Sequence, residues 1–169
     1  MSADTSVPVG GWTSPSAQQR LALLRDARTI AIVGASPNPN RSSYFVATYL
    51  RANSSYRLFF VNPVVDEILG EHSYPSLAAL PETPDIVDVF RRQQDLGEVT
   101  DEAIERRGRV LWFQLGLVDT ECATRATAAG LSVVMDRCLK IEHARFKGGL
   151  HLAGFDTGVI SSRRAPLLG

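Results

Sequence analysis

Residues 29–43 read TIAIVGASPNPNRSS, an apolar run that stops at a glycine and opens into small residues and an arginine. No other stretch of the chain restricts its fold as tightly. Ile30, Ala31, Ile32 and Val33 offer apolar side chains in both directions, which suits a parallel strand covered on both faces. Gly34 lets the backbone turn sharply and lets a ligand approach the main chain. Beyond it, SSYFVATYLRA places Phe45, Val46, Tyr49 and Leu50 at helical spacing, with Ser42 or Ser43 as N-cap. The unit is strand, loop, helix. A helix that starts beside the carboxyl end of a central strand presents unpaired N–H groups and positive dipole charge, a setting that favours a phosphate.

The same alternation runs through the rest of the chain. A helix starts near Ser14, Pro15 and Ser16, with Leu21 and Leu24 on one side. Strands are predicted at 57–62, 85–90, 109–113 and 131–135. Helices fit 94–107 and 120–129, the latter with Asp119 as N-cap and Gly130 at its C-terminal end, and another begins near Arg137, capped by Asp136. Between 64 and 84 the pattern weakens to a turn at Ile68, Leu69 and Gly70 and a short helix closed by Pro81. Asp88 interrupts an apolar strand and needs a partner or the sheet's edge. Strands alternating with helices through short loops predict an α/β fold, a Rossmann-like doubly wound parallel sheet in a single domain. Residues 16–146 form that domain. Residues 1–15 read as a mobile arm for which Trp12 is the anchor, and 147–169 as an irregular tail.

The 169 residues suit one domain, and 18 basic residues balance 18 acidic ones. A general nucleic-acid or anionic-membrane binder shows a basic excess, so both are excluded as expected partners. No apolar run approaches the ~20 residues of a membrane span, and the amino terminus lacks a signal-peptide layout, so a cytoplasmic location is expected. Cys122 and Cys138 lack zinc-ligand spacing and are expected as reduced thiols, with Cys122 in the core.

In a doubly wound sheet, ligands bind beyond the carboxyl strand ends. Those ends supply Gly34, Ala35 and Ser36; Asn62 and Pro63; Phe90, Arg91 and Arg92; Gln114, Leu115 and Gly116; and Asp136, Arg137 and Cys138. A dinucleotide fingerprint has three glycines and an acidic residue at the end of the second strand. This chain has one glycine in the loop, and Asn62-Pro63 where the acid belongs. Arg41, Arg91 and Arg92 can each reach phosphates from the same rim. The chemistry points to a phosphorylated nucleotide other than plain NAD, with an NAD(P)-dependent oxidoreductase as the disfavoured alternative.

The motifs VGASPNPNRSS, VNP, DIVDVFR, VLWFQLG and VVMDRC, in that order, resemble the small bacterial CoA-binding proteins of the YccU-like type. These are similar to the CoA-binding domain in the alpha subunit of succinyl-CoA synthetase. The resemblance covers roughly residues 16–146, a domain-sized stretch. It implies that Gly34, Ala35, Ser36, Arg41 and Ser42 hold the CoA phosphates, that Asn62 and Pro63 line the adenosine side, and that Phe90 and Arg91 with Gln114, Leu115 and Gly116 border the remainder. Succinyl-CoA synthetase also needs a phosphorylated histidine from a second domain and a beta subunit. His72, His143 and His151 lie in no such motif, so the resemblance implies a binder of CoA or acyl-CoA without its own catalysis. The competing reading is a small acyl-CoA or CoA-disulfide enzyme that uses Cys138, placed beside Arg137 at a helix start, as nucleophile or mixed-disulfide partner. A homodimer and an unidentified protein partner both stay open.

Overall fold

The computed structural model describes residues 11–148. The expected amino-terminal arm up to residue 10 and the tail from 149, with His151, lie outside the described residues. Five helices are α1 (Ala17–Asp26), α2 (Ser42–Asn53), α3 (Leu96–Glu105), α4 (Thr120–Ala128) and α5 (Leu139–Lys147). Seven strands are β1 (Thr29–Val33), β2 (Arg57–Val61), β3 (Glu67–Ile68), β4 (Glu71–Tyr74), β5 (Ile86–Val89), β6 (Val110–Phe113) and β7 (Ser132–Val134). They form one sheet in the order β3-β4-β2-β1-β5-β6-β7. Every pairing is parallel except β3 with β4. From β1 the chain builds outward through β2 and β4, then returns to β5 on the other flank of β1. This is the doubly wound order with its switch point between β1 and β5.

Side-chain alternation divides the core. Ile30, Ile32, Phe60, Ile86 and Trp112 face α1, α2 and α5, packing with Leu24, Val46, Leu50 and Leu139. Ala31, Val33, Val87, Leu111 and Phe113 face α3 and α4, packing with Leu96, Val99, Ala103, Ala123 and Ala126. All five residues of β1 are buried, the environment its uniform apolarity requires. Trp12 packs on the second of these faces and donates Nε1–H to the Val133 carbonyl at 2.7 Å, so this part of the arm is docked. No helix among the described residues is long and apolar enough to cross a membrane.

The helix ends follow local chemistry. Ser16 and Gln19 form a reciprocal capping box at α1. Asp119 caps α4 by accepting from Cys122 N at 2.9 Å. At the other end of α4, Gly130 (φ 96°) donates to Thr127 O, and Leu131 donates to Ala126 O, both at 3.0 Å, a Schellman closure. Three stretches differ in detail from expectation. Segment 94–107 begins with a 3-10 turn (Gln93–Asp95) before α3, and the short helix before Pro81 is one 3-10 turn (Leu77–Ala79). A β3–β4 hairpin occupies 67–74 where only its turn was legible. Leu69 (φ 52°) and Gly70 (φ 76°) give that turn the paired positive φ of a tight hairpin.

Candidate functional site

The carboxyl ends of β2, β1, β5 and β6 open onto one cleft of about 680 Å³, closed at its sides by the first turns of α2 and α5. At its centre stands Gly34, whose φ of 84° is left-handed. A Cβ there would collide with the Phe90 carbonyl, so only glycine lets β1 and β5 run this close at their ends. The loop that follows is tied down. Gly34 N and Ala35 N both donate to Val61 O, at 3.0 and 3.3 Å, and Asn38 N and Asn40 N donate to the side chains of Ser36 and Asn38.

This rigid loop delivers the chain into α2. The N-cap is Arg41, not Ser42 or Ser43, and its side chain makes no capping bond. The serines are the first two helical residues instead, and Ser43 is buried. Both line the cleft with Arg41, so the uncapped helix end and its guanidinium face the same space.

Asn62 uses its whole amide to lock the rim. Its Nδ2 donates to Ala35 O at 2.8 Å, and its Oδ1 accepts from Val64 N and Val65 N at 2.8 and 3.2 Å. Pro63 and Val64 then form the wall on the β2 side. On the opposite flank, Phe90 N donates to Val33 O at 2.8 Å, fixing the start of the Phe90-Arg91-Arg92 edge. Asp95 holds both arginines, with Arg92 Nε at 3.0 Å and Arg91 Nη2 at 3.6 Å. Three guanidinium groups thus face the cleft against one carboxylate.

Gln114 lines the cleft, yet its Nε2 donates to Asp88, which is fully buried. The amide satisfies a carboxyl inside the sheet. Asp88 pairs in register with Ile32 and Trp112 at the centre of the sheet, and its Oδ2 has no partner among the described residues. Burial pushes its carboxyl up to about 8, against a smaller downward pull from Gln114.

Residues 114–117 make a tight turn. Leu117 N donates to Gln114 O at 2.9 Å, and Gly116 occupies its third position at φ 88°. Asp136 accepts from Gly116 N at 2.7 Å and does not cap α5, whose N-cap position is Cys138. Eleven of the twelve residues expected at the site line this one cleft; Gly116 does not, and serves the turn that carries Leu115. Ser43, Val64, Asp95, Leu117 and Ile141 also line it and were missed. Asp95 had a signal, its spacing of three and four residues from Arg92 and Arg91. Cys138 is half-buried in the cleft wall rather than in the core, whereas Cys122 is buried. A second hollow of about 650 Å³ lies at the amino ends of β6 and β7. It sits beside the carboxyl ends of α3 and α4, where the dipole repels an anion.

A family model described as a CoA binding domain matches residues 28–144. An uncharacterised protein of Bacillus subtilis, YneT, is 37% identical over 131 residues, covering 78% of this chain and 96% of its own. A Thermus thermophilus protein designated cell-free ID.343 is 38% identical with a TM-score of 0.73, covering 78% of this chain and 98% of its own. A hypothetical protein from Pyrococcus horikoshii OT3 is 33% identical with a TM-score of 0.72, covering 78% and 92% respectively.

Proposed function

The chain belongs to the CoA-binding domain family, and on that premise we propose that it binds CoA in the cleft between α2 and α5, without chemistry of its own. The observation that carries the reading is the uncapped N-terminus of α2, aimed with Arg41 into a cleft at the β1–β5 switch point. An anionic pyrophosphate satisfies those N–H groups and gains from both the dipole and the guanidinium. Gly34, Ala35 and Ser36 bring backbone within reach of the same phosphates. Pro63 and Val64, on a rim locked by Asn62, border the adenosine. Phe90, Arg91, Gln114 and Leu115 border the pantetheine arm.

A ribose acceptor is missing at the end of β2, where the Asn62 amide is spent on the backbone. That disfavours NAD, whose ribose hydroxyls look for a carboxylate there. Calorimetric titration with CoA, NAD, NADP and ATP under reducing conditions tests the proposal. Saturable CoA binding is expected, weakened about ten-fold or more in Arg41→Ala by loss of a charge-assisted contact. Binding of NAD or NADP with none of CoA would refute it.

A further inference from the structure

Five large apolar side chains are exposed among the described residues: Phe45, Val64, Leu115, Val118 and Ile141. Val64, Leu115 and Ile141 line the one cleft described above. Leu115 is 67% exposed and Ile141 50%, and they come from two different elements. The fold has no use for either side chain: α5 buries Leu139 and Glu142 on its inner face, and β6 ends before Leu115.

The exposure of Leu115 is built in. Its turn is closed by Leu117 N to Gln114 O at 2.9 Å, anchored by Gly116 N to Asp136 at 2.7 Å, and joined back through Asp136 N to Leu117 O at 3.2 Å. The turn cannot fold the leucine inward without breaking these bonds. Leu117 and the half-buried Cys138 line the same cleft, so Leu115 and Ile141 belong to an apolar stretch of its wall. Arg41 and the α2 N-terminus follow β1, whereas Leu115 follows β6, two positions away in the sheet. The cleft therefore carries guanidinium groups after β1 and β5, and exposed apolar side chains after β6 and on the first turn of α5.

We infer that the natural ligand is an acyl thioester of CoA with an aliphatic acyl group, its chain lying on Leu115 and Ile141, rather than free CoA. This rests on the CoA reading of the same cleft. A terminal thiol covers little of an exposed leucine and isoleucine, whereas an aliphatic chain removes them from water together with itself.

The test is titration with CoA, acetyl-CoA and hexanoyl-CoA of the full chain and of a Leu115→Asn/Ile141→Gln double variant. Both positions are exposed, so the fold is retained, which a thermal melt verifies. Hexanoyl-CoA is expected to bind at least about ten-fold tighter than CoA, near two-fold per half-buried methylene. In the double variant the ratio of hexanoyl-CoA to CoA affinity is expected to fall below about three-fold, whatever affinity for CoA is lost with the Leu115 side chain at the pantetheine arm. Equal affinity for CoA and hexanoyl-CoA in the unaltered chain overturns the inference while leaving CoA binding intact. So does a gap that survives in the double variant, or a variant that changes only the sedimentation of the protein, which would assign the apolar stretch to a second copy. Failure of all three ligands to bind would instead overturn the CoA reading beneath it.

Discussion

Replacing Asp88 by asparagine removes a titration while keeping the shape and the acceptor that Gln114 needs. Asp88 is fully buried on the central strand β5, with Gln114 as its hydrogen-bond partner and no cation beside it among the described residues. Its carboxyl loses a proton near 3.8 when exposed and near about 8 in the fold. Between those values the folded chain holds one proton more than the unfolded chain. Stability supplied by this group is therefore complete below about pH 4 and is lost as pH rises toward about 8, at about 1.4 kcal/mol per unit. From pH 5 to pH 8 the loss reaches about 4 kcal/mol, an upper figure because water entry and relaxation soften burial. Urea denaturation of both proteins at pH 5, 6, 7 and 8 isolates the effect, since every other group cancels in the difference. Asp88→Asn is expected to gain on the parent by about 1 kcal/mol for each pH unit in this range. A difference constant to within about 0.5 kcal/mol from pH 5 to pH 8 would refute the reasoning, because it would mean that Asp88 is already ionised in the fold at pH 5.

Two further substitutions probe the scaffold. Gly34→Ala forces a side chain into left-handed backbone against the Phe90 carbonyl, and is expected to cost about 2–4 kcal/mol in urea denaturation and to weaken CoA binding by prising β1 from β5. Glu142 is buried and holds the buried Arg20 at 2.9 Å, with Arg145 at 3.0 Å and Arg137 at 3.4 Å. Glu142→Gln leaves the Arg20 guanidinium in the interior without its carboxylate, with an expected loss of about 3 kcal/mol that 0.5 M salt does not restore.

The five strands β1, β2, β5, β6 and β7 were legible because each carries an apolar run, broken inside a strand only at Asp88, a composition that leaves a chain little choice. The β3–β4 hairpin was not, for the opposite reason. Glu67, Glu71 and His72 are exposed at the sheet's edge and carry no burial pattern, so their pairing depends on Leu69 and Gly70 and on β2, which offers β4 a free edge. Caps were readable where an oxygen-bearing side chain stands at the right offset, as at Ser16 and Asp119. They failed at Ser42 and Asp136. At Ser42 the helix starts one residue sooner, because the Arg41 carbonyl already accepts the first helical bond, from Phe45 N at 3.3 Å. At Asp136 the carboxylate finds Gly116 N, 20 residues away, before any N–H of α5.

The cleft shows the same division between what strand order fixes and what side-chain direction fixes. Once the strands are parallel and wound both ways from β1, their carboxyl ends must meet, and the residues named there converge whatever their rotamers. Which atoms they offer is decided by competition with nearby backbone and charge. Asn62 gives its amide to Ala35, Val64 and Val65; Gln114 turns to Asp88; Arg91 and Arg92 share Asp95. Arg41 has no such competitor among the described residues, and it sits on the helix whose N–H groups are uncapped. The anion-binding capacity of the cleft is therefore concentrated at α2. The flanking arginines, already half-neutralised, tune the surrounding potential, and the exposed pair at Leu115 and Ile141 is left to deal with whatever the anion carries at its other end.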